Sequence, residues 1–491
     1  MVERELKLSA GPGFQLPDLD GILPGVEAEQ PEFVRMQTIY HDTPDLRLAR
    51  WGCSLRHRSG EGWTLKLPTS ATGPLLERTE LTFPGGAGKA PAAALAVVRA
   101  YVRHAPLEPV ARLSTRRRIT RLRAKGRKLA EVVDDEVTVL EGRRVAGRFR
   151  EIEIELAEAG DELLEPLRRR LEEGGAGATD GTPKHVRALG PRAAAPPEVD
   201  PRPVSTGATA GELLAHAVQE SVAALLRHDP GVRLGSDPEH VHQARVAVRR
   251  LRSNLRTFAK LLDVEALGSL SEDLKALGGA LGAVRDGEVL EERLRGRAEA
   301  LPPGDRRLAG ELVRRLEEEI ASKRVAALAL MDSERYLDLL DRLVQLARLP
   351  PLNEVATMAA EQVAGELARR PWRKLRKAVQ ALPGEPADAE LHRVRILAKR
   401  ARYAAEAVAP VVGKPAAQFA KAAAELQTVL GDHQDSVTAE AWLRGLNTSG
   451  RRSFVAGQLA AMERVAAEES RAKWRKAWAA LESKRLREWM G

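Results

Sequence analysis

Charged side chains alternate with apolar ones along the first strand-like segment of the chain. Glu3, Glu5 and Lys7 share one face, while Leu6 and Leu8 lie on the other. The same alternation recurs downstream in Arg56 with Arg58, Thr64 with Lys66, Arg78 with Glu80, Arg116 with Arg118, and Glu151, Glu153 and Glu155. One such strand is an ordinary solvent-facing surface. Six or seven favour a sheet that closes with its charged face inside.

A closed, charged interior suits polyphosphate chemistry. Guanidinium and ammonium groups bind phosphate oxygens, while carboxylates hold a divalent cation that bridges phosphates and polarises the scissile bond. Hard carboxylate oxygens favour Mg²⁺ or Mn²⁺. For any single residue, a structural salt bridge inside the sheet remains the alternative.

A second set of basic residues follows a helical spacing. Basic side chains lie one position after the apolar stripe that begins at Val241: they are His242, Arg245, Arg249, Arg252 and Arg256. A solvated helix face would need interleaved acids, since like charges four residues apart repel. No Asp or Glu occurs from residue 241 to residue 260. The stripe therefore predicts an anion-binding site.

The same pattern is repeated later in the chain. Residues 241–252 match residues 391–402, so that His242 and His392 are 150 residues apart. The second stripe comprises His392, Arg395, Lys399 and Arg402. Leu281-Gly282 and Leu430-Gly431 are 149 residues apart. The repeat predicts two related helical bundles in tandem.

The elements that must position these residues fall into two regions. Residues 1–190 contain short alternating segments separated by turn residues, with helices predicted at about 92–102 and 161–173. Residues 191–209 have the Pro- and Ala-rich composition of a linker. Residues 210–485 follow a helical period. We therefore expect a β-rich domain, a linker and an all-α domain.

Composition restricts the class of partner. The 491-residue chain has a formal net charge of +9, which suggests a polyanion, but aromatic residues are only 4 %. That scarcity makes nucleic acid an unlikely partner, because base stacking needs aromatic platforms. The sequence shows neither a signal-peptide pattern nor a long apolar run, so we expect a cytoplasmic protein without membrane partners. Association with polyphosphate granules is left open.

The first region resembles the CYTH domain of the triphosphate tunnel metalloenzyme superfamily. Glu3-x-Glu5-x-Lys7 is similar to the family's opening signature, and Tyr40-His41-Asp42-Thr43-Pro44 to its next block. The resemblance implies an antiparallel eight-stranded β-tunnel with flanking helices that cleaves triphosphates with a divalent metal. It implies substrate binding by Lys7, Arg56, Arg58, Lys66, Arg78, Arg116, Arg118 and Lys184. It implies metal binding by Glu3, Glu5, Glu153 and Glu155, with catalytic roles for Glu5, Glu153 and Glu155.

The second region resembles the CHAD domain, an all-α module of two bundles. The matching features are the two His-led stripes and Leu281-Gly282-x-x-Arg285-Asp286. The second repeat departs from this pattern, because Gln434 stands where the first has Arg285. The resemblance implies that inorganic polyphosphate binds the two stripes and Arg285.

These features predict a Mg²⁺- or Mn²⁺-dependent inorganic triphosphatase that also binds polyphosphate. The alternatives are a non-catalytic polyphosphate adaptor, a nucleoside or thiamine triphosphatase, and an adenylyl cyclase.

Overall fold

The chain folds into two compact units, Met1–Glu198 and Val199–Gly491. The structure is a computed structural model that describes residues 2–68, 76–157, 160–178, 181–263 and 265–491, with the backbone alone at residues 2, 3, 76, 77 and 266. The division falls inside the segment predicted as a linker. In the described residues no helix is long and apolar enough to cross a membrane.

Ten antiparallel strands form the sheet of the first unit. They are β1 (Val2–Ala10), β2 (Glu27–Ala28), β3 (Glu32–Asp42), β4 (Ser54–Arg58), β5 (Gly62–Pro68), β6 (Leu76–Phe83), β7 (Glu108–Ala124), β8 (Arg127–Glu141), β9 (Arg144–Leu156) and β10 (Gly177–Ala178). Hydrogen-bonded neighbours follow the order β10-β1-β6-β5-β4-β3-β7-β8-β9, and β1 also pairs with β9. The pairing path therefore returns to its start. The prediction of eight strands differs from this count by the two-residue strands β2 and β10, which are too short to show a sequence period.

Four helices accompany the sheet: α1 (Arg47–Arg50), α2 (Ala92–Val102), α3 (Leu164–Glu173) and α4 (Lys184–Leu189). The helix predicted at 92–102 is confirmed as α2. The one predicted at 161–173 is confirmed as a 3₁₀ turn, Asp161–Leu163, followed by α3.

One face of the sheet is apolar and packs against α3. Ile152 and Ile154 of β9 are fully buried there with Leu167 and Leu171 of α3. The glutamates of β9 must then lie on the opposite face, because strand side chains alternate. The packing of Ile152 and Ile154 against α3 thus directs the β9 glutamates, Glu151, Glu153 and Glu155, inward.

The second unit is built mainly from helices, with two isolated β-bridges among its described residues. Its helices are α5 (Ala210–Leu234), α6 (Pro238–Thr257), α7 (Leu270–Glu299), α8 (Pro303–Met331), α9 (Glu334–Arg348), α10 (Ala360–Gln380), α11 (Asp388–Val412), α12 (Lys414–Gly445) and α13 (Arg451–Leu481). Helices α5 and α10 begin 150 residues apart, as do α6 and α11. The sequence repeat is thus a repeat of helices.

The helices of the two repeats pack on each other in equivalent pairs. Helix α5 contacts α10, α6 contacts α11 and α7 contacts α12. The predicted core stripes are buried on both stripe-bearing helices, for example Val241 and Val248 on α6 and Leu391 and Val394 on α11. The basic stripes flanking these cores are therefore brought towards each other.

Candidate functional site

A charged cavity lies within the closed strand path of the first unit. Seven basic side chains line it: Lys7, Arg56, Arg58, Lys66, Arg78, Arg117 and Lys184. Three carboxylates line it too: Glu5, Glu153 and Glu155. Its lining therefore carries four more positive than negative formal charges. The free volume of about 40 Å³ holds a few waters at most, so the long basic side chains must move to admit a larger anion.

Cross-strand register brings opposite charges together on one wall. Lys7 of β1 lies opposite Glu153 of β9, and Glu5 lies opposite Glu155. The Lys7 ammonium forms a short hydrogen bond to Glu153 and lies 3.0 Å from Glu151 Oε1.

Lys184, which begins α4, reaches the same wall from outside the sheet. Its Nζ lies 2.5 Å from Asp135 Oδ2 and 2.9 Å from Glu153 Oε2. Arg117 Nη2 is 2.6 Å from Asp135 Oδ2 and 3.4 Å from Glu153 Oε2. Glu153 is therefore held by three cations contributed by β1, β7 and α4.

These contacts determine the charge states of the wall. Burial raises the pKa of the Glu153 carboxyl, but Lys184, Lys7 and Arg117 outweigh it and hold that pKa well below its usual range. Burial likewise lowers the pKa of the Lys7 ammonium, yet Glu153, Glu5 and Glu151 raise it overall. Glu153 and Lys7 are thus held in their ionised forms, whereas burial raises the pKa of the neighbouring Glu151 carboxyl.

The facing wall, on β4, β5 and β6, is mainly basic. Lys66 Nζ lies 3.1 Å from Glu80 Oε2, and Arg56 Nη2 lies 3.9 Å from Glu80 Oε1. Arg58 pairs with Glu61 in the turn after β4, at 2.9 Å. One glutamate between Lys66 and Arg56 leaves net positive charge on this wall.

Helix α4 contributes Lys184 and His185 to the cavity lining. Its Ala188 and Leu189 pack against Leu113 and Tyr40. His185 is buried and stacks on Tyr40, with ring centroids 5.2 Å apart. Burial, together with the charges of Arg78, Lys7 and Arg56, lowers the pKa of His185 to about 3, so its imidazole is neutral.

The block beginning at Tyr40 is mainly a structural turn. The Asp42 carboxylate accepts hydrogen bonds from the backbone N–H groups of Thr43, Leu48 and Ala49. This fixes the exit of β3, and Tyr40, two residues earlier, lines the cavity. The block therefore positions the cavity-lining side chain of Tyr40 by fixing the backbone at the end of β3.

Two predicted cavity residues face elsewhere. The Arg116 side chain is 70 % exposed and lies 3.6 Å from Glu136, and Arg118 lies over the exposed ring of Phe33. The side chain that points inward from this strand is Arg117, which is only 14 % exposed. Three successive arginines hide the alternation that would identify the inward one. The expectation that Arg116 and Arg118 line the tunnel is therefore corrected in favour of Arg117.

The other predicted residues can be placed with one exception. Lys7, Arg56, Arg58, Lys66, Arg78, Lys184, Glu5, Glu153 and Glu155 all line the cavity. The side chain of Glu3 lies outside the described residues. Asp135 and Glu151, which the prediction left out, are fully buried at the wall. The glutamate run of β9 could have identified Glu151 by its period of two.

The donor set is suited to a hard divalent cation. Glu5 Oε1 and Glu151 Oε2 are buried without a hydrogen-bond partner in the described residues. No group of three or more potential ligands is yet gathered tightly enough to hold a metal, as far as the structure describes the chain. Lysine and arginine contacts hold the carboxylates instead. Binding a cation therefore requires some of these contacts to open.

A second basic site lies in the helical unit. The stripes of α6 and α11 approach each other around Tyr403, whose ring lies 5.3 Å from both the Arg249 and the Arg402 guanidinium carbons. Buried Nε atoms of Arg249, Arg252, Arg285 and Arg395 lack a hydrogen-bond acceptor within the part of the chain that the structure describes. Buried donors of this kind are costly unless a ligand or water satisfies them. We call the surface formed by the two stripes and Arg285 the basic groove.

The two repeats hold their first arginine in the same way. Arg245 pairs with Asp286 at 2.9 Å, and Arg395 with Asp435 at 3.9 Å. A Cβ on Gly282 would lie 3.6 Å from Arg245 Nε, and one on Gly431 would lie 3.5 Å from Arg395 Nη2. The repeated Leu-Gly pair thus lets each arginine pack close to the neighbouring helix.

Lys399 shows how concentrated the positive charge is. Burial, and then Arg395, Arg249 and Arg245, lower the pKa of its ammonium to about 7.

The second repeat differs from the first at Gln434, whose Oε1 lies 2.8 Å from His392 Nδ1. Gln434 therefore fixes His392 there, whereas Arg285 adds a cation in the first repeat.

Comparison with known proteins identifies a domain family for each unit. A CYTH domain matches residues 1–180, and a CHAD domain matches residues 216–444. Two solved structures resemble the chain. PptA from Streptomyces chartreusis is 26 % identical, with a TM-score of 0.47, over 55 % of this chain and 100 % of that one. The CHAD domain from the plant Ricinus communis is 27 % identical, with a TM-score of 0.46, over 59 % and 97 %.

Relatives match almost the whole length. The uncharacterized proteins MT2285 and Rv2226 of two Mycobacterium tuberculosis strains are each 34 % identical over 496 residues, covering 93 % of this chain and 91 % of theirs. The order of the two domains, their motifs and these full-length relatives lead to one conclusion: the chain belongs to the family of proteins that join a CYTH domain to a CHAD domain.

Proposed function

We propose that the first unit is a divalent-metal-dependent inorganic triphosphatase and that the helical unit binds inorganic polyphosphate. The observation that carries the proposal is the cavity in which seven basic side chains face three carboxylates. The eight longer strands, whose pairing path closes, would form the tunnel wall. A CYTH domain supports a hydrolase or cyclase of the triphosphate tunnel type.

The chain's own residues suggest a division of work. Arg56, Arg58, Lys66 and Arg78 would bind the phosphate oxygens along the basic wall. Glu5, Glu153 and Glu155 would hold the metal, which supplies charge neutralisation and polarisation at the scissile phosphate. Lys7, Arg117 and Lys184, which now bind the carboxylates, would turn to the substrate as it enters.

Substrate selection follows from the lining. The only aromatic side chains on the cavity surface, within the described residues, are Tyr40 and His185, and these stack on each other. A nucleobase therefore finds no free ring to stack on. This favours tripolyphosphate over a nucleoside triphosphate, thiamine triphosphate or a cyclase substrate.

Polyphosphate binding by the helical unit is supported by the basic groove. Its paired stripes and Arg285 carry eight lysines and arginines in addition to two histidines. Asp286, Glu288, Asp435 and Glu406 each pair with one of these arginines, so a positive excess remains. A linear polyanion would satisfy the buried guanidinium donors. Binding there would raise the substrate concentration near a tethered tunnel without further catalytic contacts.

The test of the triphosphatase is phosphate release from tripolyphosphate, ATP and long-chain polyphosphate, with and without Mg²⁺ or Mn²⁺. We expect metal-dependent release chiefly from tripolyphosphate. Glu153→Gln should lower the rate by about 100-fold or more, since it removes a preorganised charged group. Glu136→Gln is the matched control, because Glu136 lies on the outward face of the sheet beside Arg116 and should leave the rate unchanged.

Two results would reject the assignment. Full activity in Glu153→Gln would remove the metal-ligand role. Absence of turnover on every substrate, with polyphosphate still bound, would favour the adaptor. Binding itself is checked with Arg249→Ala/Arg395→Ala, which should weaken polyphosphate binding, against the exposed Lys421→Ala as control.

A further inference from the structure

A second cavity lies on the opposite flank of α11, between α10 and α11. Its volume is about 710 Å³, within the range of small-molecule sites. Lys374, Lys377 and Ala378 line it from α10, together with the C-cap residue Ala381, spaced as one helix face. Glu390, Arg393, Val394, Leu397 and Arg400 line it from α11 with the same spacing. None of these residues belongs to the basic groove.

The cavity has a basic rim and an apolar floor. In the described residues no carboxylate lies within salt-bridge distance of Lys374, Lys377, Arg393 or Arg400. Glu390, the one acid in the lining, accepts a hydrogen bond from the Ala387 backbone N–H at 2.8 Å and so caps α11. The rim therefore carries an excess of three positive charges. Like charges on neighbouring turns repel unless an anion compensates them.

The other repeat shows that this opening is not required by the fold. Positions 150 residues earlier place His228 at Ala378 and His240 at Glu390. There the two imidazoles fill the space, with their Nδ1 atoms 3.1 Å apart. A Cβ on Gly231, which corresponds to Ala381, would lie 2.1 Å from the His240 ring. At the equivalent positions the second repeat has Ala378 and Glu390 instead of the histidine pair, and Lys374 where the first repeat has Ala224.

Hydrogen bonds from α13 hold the loop that joins the two helices lining the cavity. Arg471 and Arg475 of α13 donate to the backbone carbonyls of Pro386 and Gly384, in the loop that joins α10 to α11. Arg471 also pairs with Asp388 at the start of α11. A loop anchored in this way keeps the two helix faces apart at a set distance.

We infer that the α10–α11 cavity binds an organic phosphate of about three negative charges with an apolar or aromatic body, represented by a nucleoside diphosphate. Such a ligand carries about three charges at neutral pH, because a terminal phosphate contributes about −1.5 to −2 and an inner one about −1. Ile396, Leu397 and Leu382 offer apolar surface to its body, and Arg393 or Arg400 can stack on a base. A bare polyphosphate would leave that floor uncovered. The inference is independent of the triphosphatase proposal.

The experiment is lysine footprinting of the full chain by an amine-acylating reagent and mass spectrometry, in EDTA so that nothing is turned over. At an ADP concentration that occupies about 80 % of the sites, acylation of Lys374 and Lys377 should slow by about five-fold. Adenosine should not, and tripolyphosphate should protect these lysines less than ADP does. Acylation of Lys421, exposed on α12, should stay unchanged.

Variants separate this site from the basic groove. Arg393→Ala/Arg400→Ala should lose the ADP protection, while Arg227→Ala, on the equivalent face of α5, should keep it. Long-chain polyphosphate should protect Lys399 in every variant, and failure there would count against the proposed function alone. Failure of ADP to protect Lys374 and Lys377, or equal protection by tripolyphosphate, would overturn the inference. Circular dichroism of each variant checks that it is folded.

Discussion

At the residue scale, Lys399 links the basic groove to pH. Its pKa of about 7 results from burial and from Arg395, Arg249 and Arg245, with Asp435 as the one opposing acid. A bound polyanion favours the charged form. The unfolded chain holds this proton up to the ordinary pKa of 10.5, so between about pH 7 and pH 10.5 the unfolded state alone carries it. The stability that neutral Lys399 contributes is therefore present above pH 10.5 and is lost as pH falls through about 7.

We expect polyphosphate affinity to fall as pH rises from about 6 to about 9, as Lys399 loses its proton. The change should be roughly ten-fold, the value of one charge-assisted contact of about 1.5 kcal/mol. Lys399→Arg should remove most of this dependence above about pH 7, because arginine stays charged. Burial lowers the pKa of His242, which moves its titration away from the upper half of this window. An affinity that is flat over the upper half of this range in the unmodified protein would contradict the prediction.

Arg117 and its neighbour Arg116 form a matched pair of residues. Arg117→Ala removes an inward cation that contacts Asp135 and Glu153, whereas Arg116→Ala removes one that faces outward beside Glu136. We expect kcat/KM for tripolyphosphate to fall by about 10- to 100-fold in the first and to change less than about two-fold in the second. Equal effects in the two variants would show that the inward direction of Arg117 is not what matters.

At the element scale, helix α7 contains glycines in opposite surroundings. A Cβ on Gly287 would lie 2.6 Å from Ile320 Cγ1 of α8, so this glycine permits close helix packing. Gly296, two and a half turns later, is exposed, and a Cβ there would meet no heavy atom of the described residues within 4 Å. Glycine therefore has a packing role at the first position and none at the second.

Alanine substitution should separate the two glycines. Gly296→Ala should stabilise the chain by about 0.5–1 kcal/mol, from helix propensity alone. Gly287→Ala gains the same propensity but forces Ile320 to move, and we expect a net loss of about 1 kcal/mol or more. Chemical denaturation measures both. Stabilisation by Gly287→Ala would show that α7 and α8 separate at little cost.

At the scale of the whole molecule, the two units have separate hydrophobic cores. The cluster around Ile152 and Leu167 belongs to the first unit, and the cluster joining α7, α8, α12 and α13 around Leu312 and Leu459 belongs to the second. Chains with separate cores need not unfold in one step. Each unit should then respond to its own ligand.

We expect two transitions in calorimetry of the full chain. Long-chain polyphosphate should raise one of them, by mass action on the folded helical unit, and Arg249→Ala/Arg395→Ala should remove that shift. Tripolyphosphate with a divalent metal should raise the other transition in both proteins. A single transition that responds to both ligands would show that the units unfold together.

The sequence by itself determined the two regions, the helical repeat and most of the charged cavity. Alternation places Glu153 and Glu155 opposite Ile152 and Ile154, and a period of two leaves one choice of face once the apolar side is known. Likewise, a spacing of 150 residues specifies equivalent helices before any contact is seen. Local periodicity is sufficient where polar and apolar residues alternate cleanly.

Only the tertiary structure decided the direction of Arg117, the burial of Asp135 and Glu151, and the cavity between α10 and α11. In the run from Arg116 to Arg118 every position is basic, so no contrast marks the inner face, and the pairing of β7 with β3 and β8 sets it instead. The α10–α11 cavity arises because Ala378 and Ala381 meet α11 where the first repeat packs His228 against His240. Such an opening depends on which side chains meet across two helices, and that is a property of their packing.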